Sequence, residues 1–202
     1  MKKIMFNDRY GLTQAVIEGR KTMTRRLAAS KRKYEKIRLW QPCLELEYGL
    51  YGCTEDEFWE YIEPHYVPGE VVAVAQSYRD VSAECFEPDA SILRAPELQR
   101  LAGWANKMFT KAELMPHRIR ITGIKCERLQ DISDEDCLKE GINASNSHEI
   151  GYGIPWVYEF AGSKMVYYTP REAFTALIDK VSGKGTWESN PWVFVYEFEL
   201  LG

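Results

Sequence analysis

The chain has 202 residues, of which 45% are hydrophobic and 13% aromatic. These values fit one folded domain and exclude a disordered chain. No run of about 18 apolar residues occurs, so the sequence predicts no membrane span, and an N-terminus without the apolar segment of a signal peptide predicts a cytoplasmic protein.

The net charge of −4 conceals two blocks of opposite sign. Residues 20–38 carry nine Lys or Arg and one Glu, whereas residues 43–64 carry seven Asp or Glu and no Lys or Arg. A basic block of this density is typical of a phosphate-binding surface. The alternative is a solvated loop whose charge is balanced by the acidic block, and the two readings stay open.

Five cysteines and three histidines are scattered along the chain, and no C-x-x-C pair occurs. This spacing favours reduced thiols over a disulfide framework or a zinc site. The sequence therefore predicts neither a metal nor another cofactor.

The first quarter of the chain predicts a strand, a helix and an extended segment. The strand covers residues 3–6, and the helix keeps its apolar spacing as far as Gly19, which suits the left-handed position after a helix. Residues 21–26 alternate as an extended segment does. Residues 28–66 have weak periodicity and are interpreted as an insertion.

The middle of the chain predicts two strands separated by a second insertion. A Pro-Gly-Glu turn at residues 68–70 precedes the continuous apolar run 71–75, which is typical of a buried strand. Residues 80–116 form the second insertion. Residues 118–124 alternate charged and apolar side chains, which predicts a half-buried strand.

The first of two later helices begins at Ser133 and ends at Gly141. Ser133 is predicted to cap this helix, and Asp136 to reach back to the cap. Residues 143–168 are interpreted as the third insertion.

The second helix begins with Thr169 as cap, Pro170 at the first helical position and Glu172 completing a capping box. Its apolar stripe is interpreted as core, not as a binding surface. A strand over residues 192–200 ends the chain. Few helices among non-local strands predict an α+β fold.

The segment from Gly19 to Arg26 carries the chemistry. A Lys beside a Thr hydroxyl makes a nucleophile without histidine, because a buried amine has a lowered pKa and accepts the hydroxyl proton. The same cations could instead bind a phosphate or a carbonyl oxygen. The basic residues predicted to contact nucleic acid or substrate are Arg20, Arg25, Arg26, Lys31, Arg32 and Lys33.

The pattern Gly19-x-Lys21-x-x-Thr24-x-Arg26 resembles the signature of the ASCH domain family of the PUA-like superfamily. The Pro-Gly-Glu turn, the segment 129–142 and the ending 190–198 are similar to longer members found in phage and prophage genomes. This resemblance implies one domain over residues 1–202, built as a small PUA-like β-barrel flanked by helices with long insertions.

The family is thought to bind RNA or nucleobases, and one small member removes the acyl group from N4-acetylcytidine. The resemblance implies catalytic roles for Lys21, Thr24 and Glu140, with RNA, a single-stranded nucleic acid or a modified nucleoside as ligand. The alternatives are a nucleic-acid-binding module without turnover and a phage accessory protein whose insertions bind a protein partner.

Overall fold

The computed structural model describes residues 1–28, 38–42, 50–53, 59–84, 100–146 and 155–201. In 38–42, 50–53, 59–61 and 82–84 it describes only the course of the backbone. None of the helices in the described ranges is long and apolar enough to span a bilayer.

A five-stranded sheet organises the chain. In spatial order its strands are β1 (Lys3–Ile4), β6 (Val71–Val74), β7 (Arg118–Arg128), β10 (Trp192–Leu201) and β2 (Met23–Leu27). β1 pairs with β6 in parallel, and every other pair is antiparallel. The architecture is therefore α+β, as the sequence predicts.

Two smaller groups of strands lie outside this sheet. One joins β3 (Arg38–Pro42), β4 (Leu50–Cys53) and β5 (Trp59–Ile62), and the other joins β8 (Asn143–Asn146) and β9 (Trp156–Glu159). The helices are α1 (Leu12–Ile17), α2 (Tyr78–Glu84), α3 (Asp134–Lys139), α4 (Pro170–Ser182) and α5 (Thr186–Ser189). The smaller groups fall within segments that the sequence interprets as insertions, and their status as insertions stays a prediction.

The expected closed barrel is not formed by the described strands. β1 and β2 lie at opposite edges of the five-stranded sheet and do not pair with each other. β1 has only two residues, and both of them pair with β6. The sheet is therefore open, and the residues that follow β1 face β2 across a cavity.

The long pair of β7 and β10 is the centre of the sheet. β7 alternates in its first half, whereas residues 193–196 of β10 are buried on both faces and alternation begins only at Glu197. Their register shifts once, between Glu197 and Phe198. The core contains buried side chains from this sheet and from the helices, among them Ile4, Val72, Ile121, Phe174, Leu177 and Val195.

The two predicted helix starts are confirmed. The Thr169 hydroxyl accepts a hydrogen bond from the Glu172 amide, and the Glu172 carboxylate accepts one from the Thr169 amide. Ser133 accepts a hydrogen bond from the Asp136 amide. The Asp136 carboxylate bonds Arg25 and Lys125 instead of capping the helix, because that pairing satisfies a half-buried charge.

Candidate functional site

The turn after α1 delivers Lys21 to the interior. Gly19 has a φ of +72°, which reverses the chain at little steric cost. The Lys21 amide then donates to the carbonyl oxygen of Ala15 at 2.9 Å, so the motif folds back on the helix. The Lys21 side chain is 2% exposed.

The end of α3 places Glu140 in the interior beside Lys21. Glu140 is the C-cap of this helix, and Gly141 follows it with a φ of +99°. A Cβ on Gly141 would lie 3.3 Å from Leu12 Cδ2, so strain and close packing both favour glycine there. The Thr22 amide donates to the carbonyl of Lys139 at 3.0 Å and joins the motif to α3.

Lys21 and Glu140 form a buried ion pair although 119 positions separate them. Lys21 Nζ lies 2.6 Å from Glu140 Oε2 and donates to the Glu140 carbonyl oxygen at 2.7 Å. Burial lowers the pKa of Lys21 below the ordinary lysine value; the Glu140 carboxylate opposes this effect, and the cations Arg26 and Arg25 add to it. The amine is therefore easier to deprotonate than an exposed lysine.

Thr24 lies in β2, opposite Tyr196 of β10, and is 5% exposed. It lines the cavity that Lys21 and Glu140 also line. Lys21 Nζ donates hydrogen bonds to the carbonyl and the carboxylate of Glu140, so among the described residues the amine faces Glu140 and not the Thr24 hydroxyl. The structure therefore brings the three predicted residues to one cavity, and their catalytic roles stay predictions.

Arg25 joins Glu140 to two further carboxylates. Its Nη1 lies 3.2 Å from Glu140 Oε1, and its Nη2 lies 2.7 Å from Glu127 Oε1 and 2.9 Å from Asp136 Oδ2. Lys125 closes the network at the rim, 3.0 Å from Glu127 and 3.3 Å from Asp136. We call Lys21, Arg25, Glu127, Asp136 and Glu140 the buried ion cluster.

The cavity has a volume of about 220 Å³. Its polar wall contains Lys21, Thr24, Arg25, Arg26 and Glu140, and its apolar wall contains Phe6, Leu12, Phe174, Leu177, Ile178 and Val181. Drug-sized ligands occupy about 300–1,000 Å³, so this cavity suits one small ring with a short substituent.

The remaining basic residues of the motif have different surroundings. Arg26 is half-buried, lines the cavity and donates to the Met5 carbonyl at 2.6 Å, with its Cζ 5.7 Å from the centre of the Phe6 ring. Arg20 is exposed and pairs with Glu18 at 2.6 Å. The predicted contacts at Lys31, Arg32 and Lys33 lie outside the described residues.

Other routes to nucleophilic or metal chemistry receive no support from the described residues. Burial raises the pKa of Cys126 and of Cys137 to about 12, so both thiols are protonated near neutral pH. In the described part of the chain, no three His, Cys, Asp or Glu side chains are grouped to hold a metal ion.

Sequence reasoning missed two parts of this site. In the stripe on α4, Phe174, Leu177 and Ile178 are buried, as expected of core, whereas Val181 is 39% exposed, and all four also form the apolar wall of the cavity. Periodicity cannot separate these roles, because both need the same spacing. The buried position of Arg25 was also missed, because only its non-local partners distinguish it from a surface cation.

Comparisons of the chain with protein-family models, curated proteins and solved structures give no match. The function of the chain is therefore inferred from the motif and from the geometry of this cavity.

Proposed function

We propose that the chain is an ASCH-like, nucleobase-binding amidohydrolase that acts on an N4-acylated cytidine. A PUA-like fold is part of the same proposal. The observation that carries it is the 2.6 Å contact between Lys21 Nζ and Glu140 Oε2, inside a cavity that Thr24 also lines. A buried amine that is paired with a carboxylate, in the same cavity as a hydroxyl, can carry out acyl transfer without a metal.

Thr24 is the nucleophile in this proposal. Its Oγ1 attacks the acyl carbonyl carbon while the neutral Lys21 amine accepts the hydroxyl proton. The bond from that carbon to N4 then breaks, and N4 receives a proton from the Lys21–Glu140 pair. Water cleaves the Thr24 ester, which releases the carboxylic acid and restores the hydroxyl.

The shape and charge of the cavity support this class of substrate. A volume of about 220 Å³ accommodates one pyrimidine ring with a short acyl group better than a purine nucleotide. The apolar wall from α4 suits the faces of the ring and the acyl methyl. Arg26 is the cation positioned to hold the acyl oxygen as it gains negative charge.

The direct test is the release of cytidine from N4-acetylcytidine by the purified protein, followed by chromatography. We expect turnover by the wild type, and loss of at least about 100-fold in Thr24→Val, which keeps the shape of the side chain but removes the hydroxyl. Thr24→Ser retains a hydroxyl at the same position and should retain measurable turnover.

Two results would contradict the proposal in different ways. No cytidine above a blank without enzyme would exclude the activity on this substrate. Binding of the nucleoside or of a single-stranded RNA without turnover would instead identify a nucleic-acid-binding module. Equal activity of Thr24→Val and wild type would remove Thr24 as nucleophile and leave a water activated by Glu140.

A further inference from the structure

The proposed chemistry leaves open which member of the Lys21–Glu140 pair delivers the proton to the departing nitrogen. The contacts of Arg25 bear on this question, because they act on one member of the pair much more directly than on the other.

Arg25 contacts the oxygen of Glu140 that Lys21 leaves free. Lys21 lies 2.6 Å from Oε2, and Arg25 lies 3.2 Å from Oε1, so each carboxylate oxygen has its own cation. A guanidinium stays protonated at any pH at which a protein is folded. A proton on Glu140 would therefore face a fixed positive charge across one hydrogen-bond distance.

We propose that Arg25 is a positioning residue that orients the Glu140 carboxylate and adds positive charge beside the Lys21–Glu140 pair, so that Lys21 carries protons in both halves of the reaction. The neutral Lys21 amine takes the Thr24 proton, and the resulting ammonium gives it to N4. In the second half the amine takes a proton from water and returns it to the Thr24 oxygen. The proton count of Lys21 closes after each half, and Glu140 stays a carboxylate.

The charges around Arg25 decide how strongly it acts on Glu140. Glu127 accepts from Arg25 Nε at 3.0 Å as well as from Nη2, and Asp136 of α3 takes the other side of Nη2. Lys125 at the rim and Lys139, 3.8 Å from Asp136, offset these carboxylates. Removal of Glu127 therefore leaves more of the Arg25 charge to act on the Lys21–Glu140 pair.

Lys21 itself faces few other charges. Arg25 and Arg26 approach from β2, Glu140 approaches from the end of α3, and the Phe6 ring lies 5.8 Å from Nζ. The side of α4 that meets the cavity is apolar at Phe174, Leu177, Ile178 and Val181. A change of charge at position 25 is thus transmitted to Lys21 directly and through Glu140.

The test follows the titration of Lys21 with and without catalysis. A charge within about 4–6 Å shifts a pKa by roughly 1–3 units. Arg25→Gln should move the pH midpoint of turnover upward by about one unit, because Lys21 then holds its proton more tightly. Glu127→Gln should move the midpoint downward, and Arg120→Gln, in the exposed pair with Glu199 on the same sheet, should leave it in place.

Nuclear magnetic resonance of protein labelled at the lysine side chain measures the same midpoint without substrate, with Lys21→Met giving the assignment. The pH midpoint of turnover rests on the proposed function, but the Lys21 titration does not. If the wild type has no activity, the proposed function fails while the titration still decides the role of Arg25. If Arg25→Gln does not fold, Glu127→Gln gives the answer.

If Arg25 had only a structural role, Arg25→Gln would lower activity or stability and leave the pH midpoint unchanged. Midpoints of turnover and of the Lys21 resonance that stay within about 0.3 pH units of wild type in both variants would overturn the proposal. Opposite shifts in Arg25→Gln and Glu127→Gln would support the proposal. A general loss of structure would not raise the midpoint in one variant and lower it in the other.

Discussion

The pair Arg25–Glu127 of the buried ion cluster and the pair Arg120–Glu199 lie on the same sheet and have nearly the same contact distances. Arg25 lies 2.7 Å from Glu127, and Arg120 lies 3.0 Å from Glu199. The Arg25 side chain is 1% exposed, whereas that of Arg120 is 49% exposed. The distance between the two charges therefore says little about stability, because the hydration of each pair decides how much it contributes to the free energy of unfolding.

The difference teaches where to look for function in this chain. An exposed ion pair contributes little to stability, and a buried one is costly to form because both ions lose water. A buried group of three carboxylates and two cations is thus a poor device for stability alone. Its position under a cavity is better explained by chemistry that needs a tuned amine.

The largest expected effect comes from removing one carboxylate from each region. Glu140→Gln should lower the free energy of unfolding by about 3–5 kcal/mol, because Lys21 loses its counter-ion inside the protein. Glu199→Gln should lower it by less than about 1 kcal/mol. Urea titrations of both variants measure the difference; equally small losses would mean that water reaches the cluster.

An intermediate effect is expected when both members of the pair are replaced by apolar side chains. Lys21→Met with Glu140→Leu should recover at least half of the stability lost in Glu140→Gln, since no unpaired charge remains between them and Met can pack near Phe6. Turnover should be absent. A double-mutant cycle measures the coupling, with Arg120→Met and Glu199→Leu as the matched cycle, for which we expect a coupling near zero.

The smallest effect concerns acid. Burial by itself raises the pKa of Asp136, but hydrogen bonds and charge from Arg25 and Lys125 outweigh burial and hold this pKa below its ordinary value. The folded state then binds this proton less tightly than the unfolded chain, so the stabilisation is present above about pH 4 and is lost as the pH falls further. Asp136→Asn should flatten the dependence of unfolding on pH in that range.

The exposed Asp134, in the first turn of the same helix, supplies the control for this measurement. Asp134→Asn should retain the acid dependence of the wild type in urea titrations between about pH 3 and 7. A dependence flattened equally by both substitutions would show that Asp136 has no special share in it.

Local signals in the sequence predicted the strands of the five-stranded sheet and the helices α1, α3 and α4, but not β3, β4, β5, β8, β9, α2 or α5. The signals that succeeded have their partners within a few residues. The capping box of Thr169 and Glu172 and the last strand needed only neighbours along the chain. Asp136 shows the limit of such signals, since a cap and an ion pair need the same carboxylate. Its partner Arg25 lies 111 positions away, and no local pattern connects the two.

The site was predicted in part, through the motif and not through periodicity. The resemblance pointed to Lys21, Thr24 and Glu140, and the structure places them around one cavity. It did not distinguish Arg25, which is paired with three carboxylates, from Arg26, which donates to a main-chain carbonyl. Adjacent residues in a strand point to opposite faces, so one step along β2 separates a buried, fully paired cation from a half-buried one.

The second hydrogen bond of Lys21, to the main-chain carbonyl of Glu140, connects the cavity to the last turn of α3. In that turn the Gly141 amide donates to Leu138 and the Ile142 amide to Cys137. A ligand that draws Lys21 away removes an anchor from this turn, and amides there should exchange with deuterium faster. Two backbone amides would then report the occupancy of a cavity that has no chromophore of its own.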